Sequence, residues 1–254
     1  MEIIDAFRFC TVEKNERALF RENWDLDVCE KDVADKRFYA LFNPSVPLME
    51  ALAQRNNCHG DTGFFALVDM AQPAILDYAN RVGAAGLVLH PYLQNLSGDV
   101  LPALGDLLAP YSEAGLPILI CTAFGSRKMY RIKPLEVAAG LAERLAGPIV
   151  LVHGGGARVL EAMLLADAYP NIYLDTSFSL TYWLGSSVEQ DFAFAMRKLG
   201  ASRWMFGSDA PFWDQKNAID SHLDFFRRHN FVLEDVAQIM GQTAKELFKD
   251  RMKT

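Results

Sequence analysis

Short apolar segments recur along the whole chain, and the longer segments between them carry apolar residues at every third or fourth position. The short segments have the length and composition of buried β-strands, whereas the longer ones have the period of amphipathic helices and end in Gly or Pro. Strands are predicted in EIIDAFR, RFYALFN, TGFFALV, AAGLVLH, LPILICT, PIVLVHG, NIYLDTS and RWMFGSD. Helices are predicted in PAILDYANRVG, DVLPALGDLLAPYSEAG, PLEVAAGLAERLAG, ARVLEAMLLADAYP and EQDFAFAMRKLG.

The alternation of strands and helices predicts the fold class. Strands separated by helices form parallel βαβ units, and eight such repeats favour closure into a (β/α)8 barrel over an open α/β sheet. The final segment, LEDVAQIMGQTAKELFKD, is expected to form one or two amphipathic helices that seal the barrel. No G-x-G-x-x-G follows the first strand and HGGGAR lacks a GK[ST] ending, so neither nucleotide-binding motif is present.

The length and composition agree with one globular domain over residues 1–254. The chain has 254 residues, of which 51% are hydrophobic and 22% are charged, and a single (β/α)8 barrel takes about 250 residues. The formal net charge of −7 at pH 7 argues against a nucleic-acid partner or an anionic membrane surface. No apolar run approaches the roughly 18 residues needed to cross a bilayer.

The cysteines and the first residues of the chain bear on its compartment. The cysteines are Cys10, Cys29, Cys58 and Cys121, and no two of them form a C-x-x-C pair. The N-terminus lacks a basic region followed by an apolar core, so a reduced, cytoplasmic protein is expected. The expected partner is a small anionic molecule, and a homodimer is compatible with such a barrel.

Polar residues stand at the ends of five predicted strands, where (β/α)8 barrels place their chemistry. They are His90 in LVLHPY, Cys121 in LICT, His153 in LVHGGG, Asp175 and Thr176 in YLDTS, and Asp209 in FGSDAP. Taken singly, such a residue is more often a cap or a hydrogen-bonded neighbour of the core. Two histidines, a thiol and two carboxylates on one rim are together the residue types that bind metal ions or transfer protons.

These segments resemble, in order and spacing, the amidohydrolase-related branch of the amidohydrolase superfamily. The resemblance rests on GLVLHPYLQ, LPILICT, IVLVHGGG, NIYLDTS and WMFGSDAP, with IIDAFRFC as the first strand, and it covers nearly the whole chain. It implies a distorted (β/α)8 barrel and hydrolysis or decarboxylation assisted by a divalent metal ion.

The sequence departs from this family at the expected metal ligands. The family's first strand reads Asp-x-His-x-His and both histidines bind the metal, but here Asp5 is kept while Phe7 and Phe9 stand at the ligand positions. The family's ligand histidine in strand five corresponds to Cys121. A phenyl ring has no lone pair to donate, and two of them form a dry, apolar wall, which opposes an uncompensated divalent charge.

His153 and Asp209 match the centre of the family's site. The favoured interpretation is a metal-free hydrolase in which Asp209 is the general base for water and His153 polarises the substrate carbonyl or shuttles the proton. Burial beside aromatic rings would raise the pKa of Asp209. Because an unaided water must attack, a small carboxylated lactone or ester is favoured over an amide, and no cofactor is expected.

Three alternatives stay open. In the first, zinc is bound by Cys121, His153 and Asp209, with His90 as a fourth ligand, and assists hydrolysis or decarboxylation. In the second, Cys121 is a nucleophile activated by His153 and oriented by Asp209. In the third, the barrel has lost catalysis and acts as a binding protein.

The segment GSRKMYRIKP after strand five brings several cations together in an acidic protein. It contains Arg127, Lys128, Arg131 and Lys133. This segment is either a solvated loop or a clamp for a substrate carboxylate or phosphate. In the second interpretation, Arg127 and Lys128 bind the substrate.

Aromatic residues after the strand ends predict a pocket for a flat or apolar ligand that carries an acid group. Phe7, Phe9, His90 and Tyr92 are assigned to substrate binding. Further candidates for this rim are Phe124, Tyr130, Tyr182, Trp183, Phe212 and Trp213.

Five other polar residues are assigned outside the pocket. Arg8 should alternate to the opposite face of the first strand from its two phenylalanine neighbours. Asp5 is expected to anchor neighbouring strands by hydrogen bonds. His59, His222 and His229 are expected at the surface or as helix caps.

Overall fold

The computed structural model describes residues 1–9, 33–123 and 127–249. Within these ranges, eight parallel strands form one sheet whose order follows the sequence. The strands are Ile4–Phe9 (β1), Lys36–Leu41 (β2), Thr62–Leu67 (β3), Gly86–Leu89 (β4), Ile118–Cys121 (β5), Ile149–Val152 (β6), Ile172–Asp175 (β7) and Trp204–Met205 (β8). Each strand coincides with one of the predicted segments, and β1 and β2 extend one residue beyond theirs, so the strand prediction is confirmed.

The helices cover the outside of this sheet. They are Val46–His59 (α1), Ala74–Arg81 (α2), Pro91–Gln94 (α3), Leu101–Glu113 (α4), Pro134–Ala142 (α5), Val159–Ala168 (α6), Ser179–Trp183 (α7), Ser187–Leu199 (α8), Gln215–Arg228 (α9), Leu233–Ala237 (α10) and Thr243–Phe248 (α11). The five predicted helical segments contain α2, α4, α5, α6 and most of α8. None of the helices in the described part of the chain is both long and apolar enough to cross a membrane.

Backbone hydrogen bonds bring the two edges of the sheet together. The N–H of Ala6 donates to the carbonyl oxygen of Phe206 at 2.9 Å, and the N–H of Phe9 donates to that of Ala210 at 2.8 Å. These bonds join β1 to the segment that follows β8. The sheet is therefore a nearly closed (β/α)8 barrel, as the alternation of strands and helices predicts.

The last two helices close the amino-terminal end of the barrel. A π-helical turn, Gln238–Gln242, joins α10 to α11. The ring of Phe248 lies 4.6 Å from that of Phe38 and 5.3 Å from that of Phe65, measured between centroids. All three rings are buried in the barrel interior, so the predicted seal is confirmed.

An extra residue in β1 sets the direction of its side chains. The pairing of β1 with β2 shifts register between Asp5 and Arg8, as at a β-bulge. Phe7 and Phe9 both enter the barrel interior. The guanidinium of Arg8 lies 5.1 Å from the ring centroid of Tyr39, which faces the surrounding helices. Arg8 is therefore on the outer face, as predicted.

Asp5 ties β1 to the segment after β8. Its Oδ1 accepts the backbone N–H of Ser208 at 2.8 Å, and its Oδ2 accepts from Ser208 Oγ at 2.6 Å and Gln215 Nε2 at 2.7 Å. The interpretation of Asp5 as an anchor between neighbouring segments is confirmed.

The assignment of His222 to the surface or a cap is wrong. His222 is fully buried, with Nδ1 2.7 Å from the carbonyl oxygen of Ala218 and Nε2 2.8 Å from Thr176 Oγ1. It lies on the buried face of α9, where a histidine with both nitrogens bonded packs as a core residue. His59 is exposed and His229 caps α9, as expected.

Burial lowers the pKa of His222 to about 4, which makes this residue a source of acid sensitivity. Between pH 6.5 and 4, His222 is protonated in the unfolded chain but stays neutral in the folded chain. The contribution of His222 to the free energy of unfolding therefore falls as the pH falls. We expect His222→Gln to be less stable than the parent at pH 7.5, and the difference to narrow by about 1–2 kcal/mol at pH 5. Urea unfolding at both pH values measures this difference in stability, and His59→Gln, at an exposed position, is the control. A difference that is the same at both pH values would contradict this account.

Candidate active site

The polar residues predicted at the strand ends gather at the carboxyl-terminal end of the barrel. His90 follows β4, His153 follows β6 and Asp209 follows β8, whereas Cys121 and Asp175 are the last residues of β5 and β7. All five are at most 5% exposed. Buried ionisable groups at this end of a (β/α)8 barrel are candidates for catalysis.

His153 is held by the segment that follows the neighbouring strand. Its backbone has a φ of 69°, a conformation that costs a non-glycine residue free energy and concentrates at functional sites. Its N–H donates to Asp175 Oδ1 at 3.1 Å, and its Nδ1 lies 2.9 Å from the carbonyl oxygen of Ser177. Burial lowers the pKa of His153 to about 4, against the opposing effect of the Ser177 bond. The ring is therefore neutral at pH 7.

The glycines after His153 allow the chain to turn closely against α6. Gly155 has a φ of 82°, and a Cβ atom added there would lie 2.8 Å from the Cβ of Ala162. Its N–H donates to Thr122 Oγ1 at 2.8 Å. The glycine-rich HGGGAR segment is thus a tight structural turn that presents His153 to the barrel centre.

Asp175 is a bonded carboxyl group beneath His153. Its Oδ1 accepts from the N–H groups of His153 and Ser177 and from Ser177 Oγ. Its Oδ2 is buried and has no hydrogen-bond partner among the described residues. Burial raises the pKa of Asp175 to about 7, although the bonds from Ser177 and His153 act in the opposite direction.

Asp209 is the second candidate catalytic residue. Its backbone has a φ of 60°, and its N–H donates to the carbonyl oxygen of Phe7 at 3.1 Å. Its Oδ1 is buried and no group in the described ranges bonds to it. Burial raises the pKa of Asp209 well above its usual value, and the charges of Asp175 and Asp5 raise it further. At any given pH, a larger share of Asp209 is therefore protonated than of an aspartate with the usual pKa.

An aromatic wall faces these polar groups. The rings of Phe7 and Phe9 lie 5.5 Å apart edge to face, and Phe9 stacks on Phe42 at 5.0 Å. Phe212 contacts Phe9 edgewise at 5.3 Å, and Phe7 contacts His153 at 5.9 Å. Phe7 and Phe9 thus form one apolar side of the site.

His90 and Tyr92 lie beside this wall. Their ring centroids are 4.2 Å apart, and His90 Nδ1 is buried without a hydrogen-bond partner among the described residues. Burial lowers the pKa of His90 to about 3, and the charges of His153 and Lys128 lower it further. A neutral imidazole with an unbonded nitrogen is suited to bind a polar group of a ligand.

The Cys121 side chain does not fit a nucleophile. Burial raises its pKa, and a hydrogen bond with the Tyr92 hydroxyl only partly opposes this. Because the thiolate is the nucleophile, a raised pKa makes this thiol less reactive. No described contact joins the thiol to His153, so the predicted activation of Cys121 finds no geometric basis.

The donor groups also do not fit a metal ion. No three His, Cys, Asp or Glu side chains within residues 1–9, 33–123 and 127–249 converge in a way that could hold one. Phe7 and Phe9 offer no lone pair, whereas a catalytic zinc needs about three protein ligands. The zinc site of Cys121, His153 and Asp209 therefore lacks a suitable donor set.

The basic residues after β5 form an exposed edge of the site. Arg127 and Lys128 begin a 3-10 turn, and Arg131 and Lys133 follow it; all four side chains are exposed. The charge of Lys128 contributes to the lowered pKa of His90. Arg127 has no described contact with the buried residues of the site.

The other aromatic candidates are divided between the rim and the surrounding packing. Tyr182 is 56% exposed and stacks on Phe178 at 5.2 Å, whereas Trp213 lies 6.1 Å from Phe178. Trp183 packs against the core between the barrel and its helices, and Tyr130 is 70% exposed. Phe124 lies outside the described residues.

A separate cavity of about 350 Å³ opens beside the aromatic wall, at the ends of β2 and β3. It is lined by Phe42, Asn43, Pro44, Leu67, Val68, Asp69, Met70, Gln72, Ile75, Gln94 and Leu96. None of the predicted site residues lines it.

Sequence reasoning missed three residues of the site, namely Phe42, Asp175 in its bonded role, and Ser177. Asp175 was visible as the end of a predicted strand, and Phe42 follows one directly. Ser177 gave no signal of its own, because its role depends on a contact between the ends of β6 and β7.

The fold and the site define a (β/α)8 barrel with buried histidines and aspartates at its carboxyl end. The chain belongs to the amidohydrolase family, whose model matches residues 34–249. This confirms the resemblance inferred from the strand-end motifs. No curated protein matches the chain.

Solved structures with the same fold differ strongly in sequence. A probable 2-pyrone-4,6-dicarboxylic acid hydrolase from Acinetobacter baumannii, with citric acid bound, has a TM-score of 0.69 at 15% identity and covers 98% of this chain and 100% of its own. An uncharacterised TIM-barrel protein from Bordetella bronchiseptica has a TM-score of 0.71 at 16% sequence identity, and the match covers 100% of both chains. A dihydroxybenzoic acid decarboxylase from Polaromonas, with manganese and 2-nitroresorcinol bound, has a TM-score of 0.58 at 17% sequence identity. The match covers 98% of this chain and 97% of the decarboxylase.

Proposed function

We propose that this barrel is a hydrolase that opens a small carboxylated lactone or ester without a bound metal ion, with His153 and Asp209 as its catalytic pair. The observation that carries the proposal is that His153 and Asp209 are both buried at the carboxyl end of the barrel in left-handed backbone conformations, with Phe7 edge to face with His153. Groups held in this way are pre-organised for a reaction.

The aromatic wall and the basic residue at the rim indicate the substrate class. Phe7, Phe9 and Phe212 favour a flat or apolar ring, and Lys128 at the rim favours a carboxylate on it. Citric acid in the Acinetobacter structure is a carboxylic acid, which supports an acidic ligand in this fold. A lactone or ester is favoured because its carbonyl is more reactive than that of an amide toward a water without metal activation.

A substrate series tests this proposal. We expect turnover of cyclic or aromatic lactones and esters that carry a carboxylate, and a rise of KM of about 10-fold or more when that carboxylate is replaced by its neutral amide. Lys128→Met should raise KM for the acid and leave KM for the amide unchanged. Lys133→Met is the matched control, since Lys133 is exposed and lies 3.9 Å from Glu136. Tight binding of these acids without any turnover would instead favour a binding protein.

A further inference from the structure

The hydrogen bonds around His153 determine which ring nitrogen carries the proton. Its Nδ1 lies 2.9 Å from the carbonyl oxygen of Ser177 and 3.2 Å from Ser177 Oγ. A carbonyl oxygen can only accept, so Nδ1 must donate if this bond exists. The hydroxyl is ambiguous by itself, because it can donate or accept.

Asp175 resolves that ambiguity. Its Oδ1 receives the N–H of His153 at 3.1 Å and the N–H of Ser177 at 3.0 Å. An oxygen that faces two backbone donors is an acceptor, so the Ser177 hydroxyl that also bonds to it must donate its single proton there. Ser177 Oγ therefore turns a lone pair toward His153. Both partners of Nδ1 are acceptors, which assigns the proton to Nδ1.

The other ring nitrogen is left with a lone pair. No group in the described part of the chain is bonded to His153 Nε2, and the ring contacts Phe7 at 5.9 Å and Phe178 at 6.4 Å, both edge to face. A neutral imidazole of this tautomer accepts a hydrogen bond at Nε2 and cannot donate one there.

We propose that Asp175 and Ser177 are positioning residues that hold His153 as its Nδ1–H tautomer, so that Nε2 takes the proton of the attacking water. This role rests on the proposed hydrolysis. It differs from the assignment made from the sequence, in which Asp209 is the base and His153 polarises the carbonyl or shuttles the proton. Nothing in the sequence pattern distinguishes the two assignments, because the difference lies in one ring nitrogen.

The step balances with water as the only co-reactant. The water oxygen bonds to the carbonyl carbon, the carbonyl π pair moves onto its oxygen, and the water proton passes to Nε2. When the tetrahedral intermediate collapses, the C=O bond re-forms, the bond to the leaving oxygen breaks, and that oxygen takes the proton from Nε2. The products are a carboxylic acid and an alcohol, which form one molecule if the substrate is a lactone.

Nitrogen NMR of histidine-labelled protein tests the assignment without substrate. The chain has five histidines, and the signals of His153 are those that disappear in His153→Gln. We expect a protonated-type Nδ1 and an unprotonated-type Nε2 at pH 7. The opposite pattern, or an even mixture of tautomers, would overturn the proposal.

Variants of Asp175 test the positioning role itself. Asp175→Asn keeps a carbonyl oxygen for the two backbone N–H groups, so kcat should stay within about 5-fold of the parent with the tautomer unchanged. Asp175→Ala should lower kcat by about 10- to 100-fold with little change in KM, and should give mixed tautomers. Equal losses in both variants would mean that the carboxylate charge matters and would overturn a purely positioning role.

The outcomes separate this inference from the proposed function. If Asp175→Ala does not fold, the spectrum of the parent and the kcat of Asp175→Asn still decide the assignment. The Nδ1–H tautomer in a protein without turnover would contradict the hydrolysis and leave the hydrogen-bond assignment standing. Turnover in a protein with the Nε2–H tautomer would support the hydrolysis and overturn this inference.

Discussion

Asp209→Ala is expected to lower kcat/KM by about 10³-fold, the effect of removing one pre-organised polar group from a reacting carbonyl. The carboxyl is buried, its Oδ1 has no partner among the described residues, and burial raises its pKa. In the proposed mechanism, Asp209 in its protonated form would donate to the developing oxyanion while His153 accepts the water proton. The measurement is steady-state hydrolysis of the best carboxylated lactone or ester, and binding of a non-hydrolysable analogue should change by less than about 5-fold.

Asp209→Asn distinguishes a donor from a base at this position. An amide can still donate to the oxyanion but cannot accept a proton, so we expect Asn to recover about 10-fold or more of the activity lost with Ala. Asp220→Asn, at an exposed position of α9, is the matched control and should be unchanged. If the Asn and Ala variants were equally inactive, Asp209 would be the general base. An Ala variant with nearly full activity would remove Asp209 from the catalytic pair.

Gly207→Ala is expected to destabilise the fold by about 3 kcal/mol, which is the upper range for overpacking a core. A Cβ atom at this position would collide with Asp175 Oδ2 and lie 2.9 Å from the Cβ of Ser177 and 3.2 Å from that of Phe7. The buried carboxyl has nowhere to move, because Oδ1 is held by three donors. Thermal unfolding should show the loss as a decrease of roughly 6–12 °C in Tm.

Gly98→Ala is the matched control for this variant, because nothing lies within 4 Å of a Cβ atom built there. Its stability should change by less than about 0.5 kcal/mol. If Gly207→Ala were as stable as Gly98→Ala, Asp175 would not pack against Gly207 as described, and the bonding of Asp175 to His153 would need revision.

Most strands of the barrel were predictable because they are buried on both faces and read as continuous apolar runs. LVLH, LICT and LVHG illustrate this, and His90, Cys121 and His153 in them lie at the same end of the barrel. The family was also predictable, since its motifs sit at those same strand ends. Such signals are local in sequence and survive without knowledge of distant contacts.

The bonding within the site was not predictable, because it depends on contacts between strands. Ser177 orients His153 only because the ends of β6 and β7 are adjacent, and Asp175 is read from the sequence as one more strand-end carboxylate. The prediction that His222 lies at the surface or caps a helix failed for the same reason. Its segment is polar enough to suggest a surface helix, and only the packing of α9 against the barrel buries it.

Metal content measured together with turnover tests the central claim most directly. The protein should be purified without a chelator or His-tag from cells supplied with zinc and manganese, and analysed for metal before and after chelator treatment. The account predicts far less than about one metal ion per chain, and hydrolysis of a carboxylated lactone or ester at the same rate before and after treatment. About one ion per chain, with turnover lost on its removal and restored on its return, would contradict it.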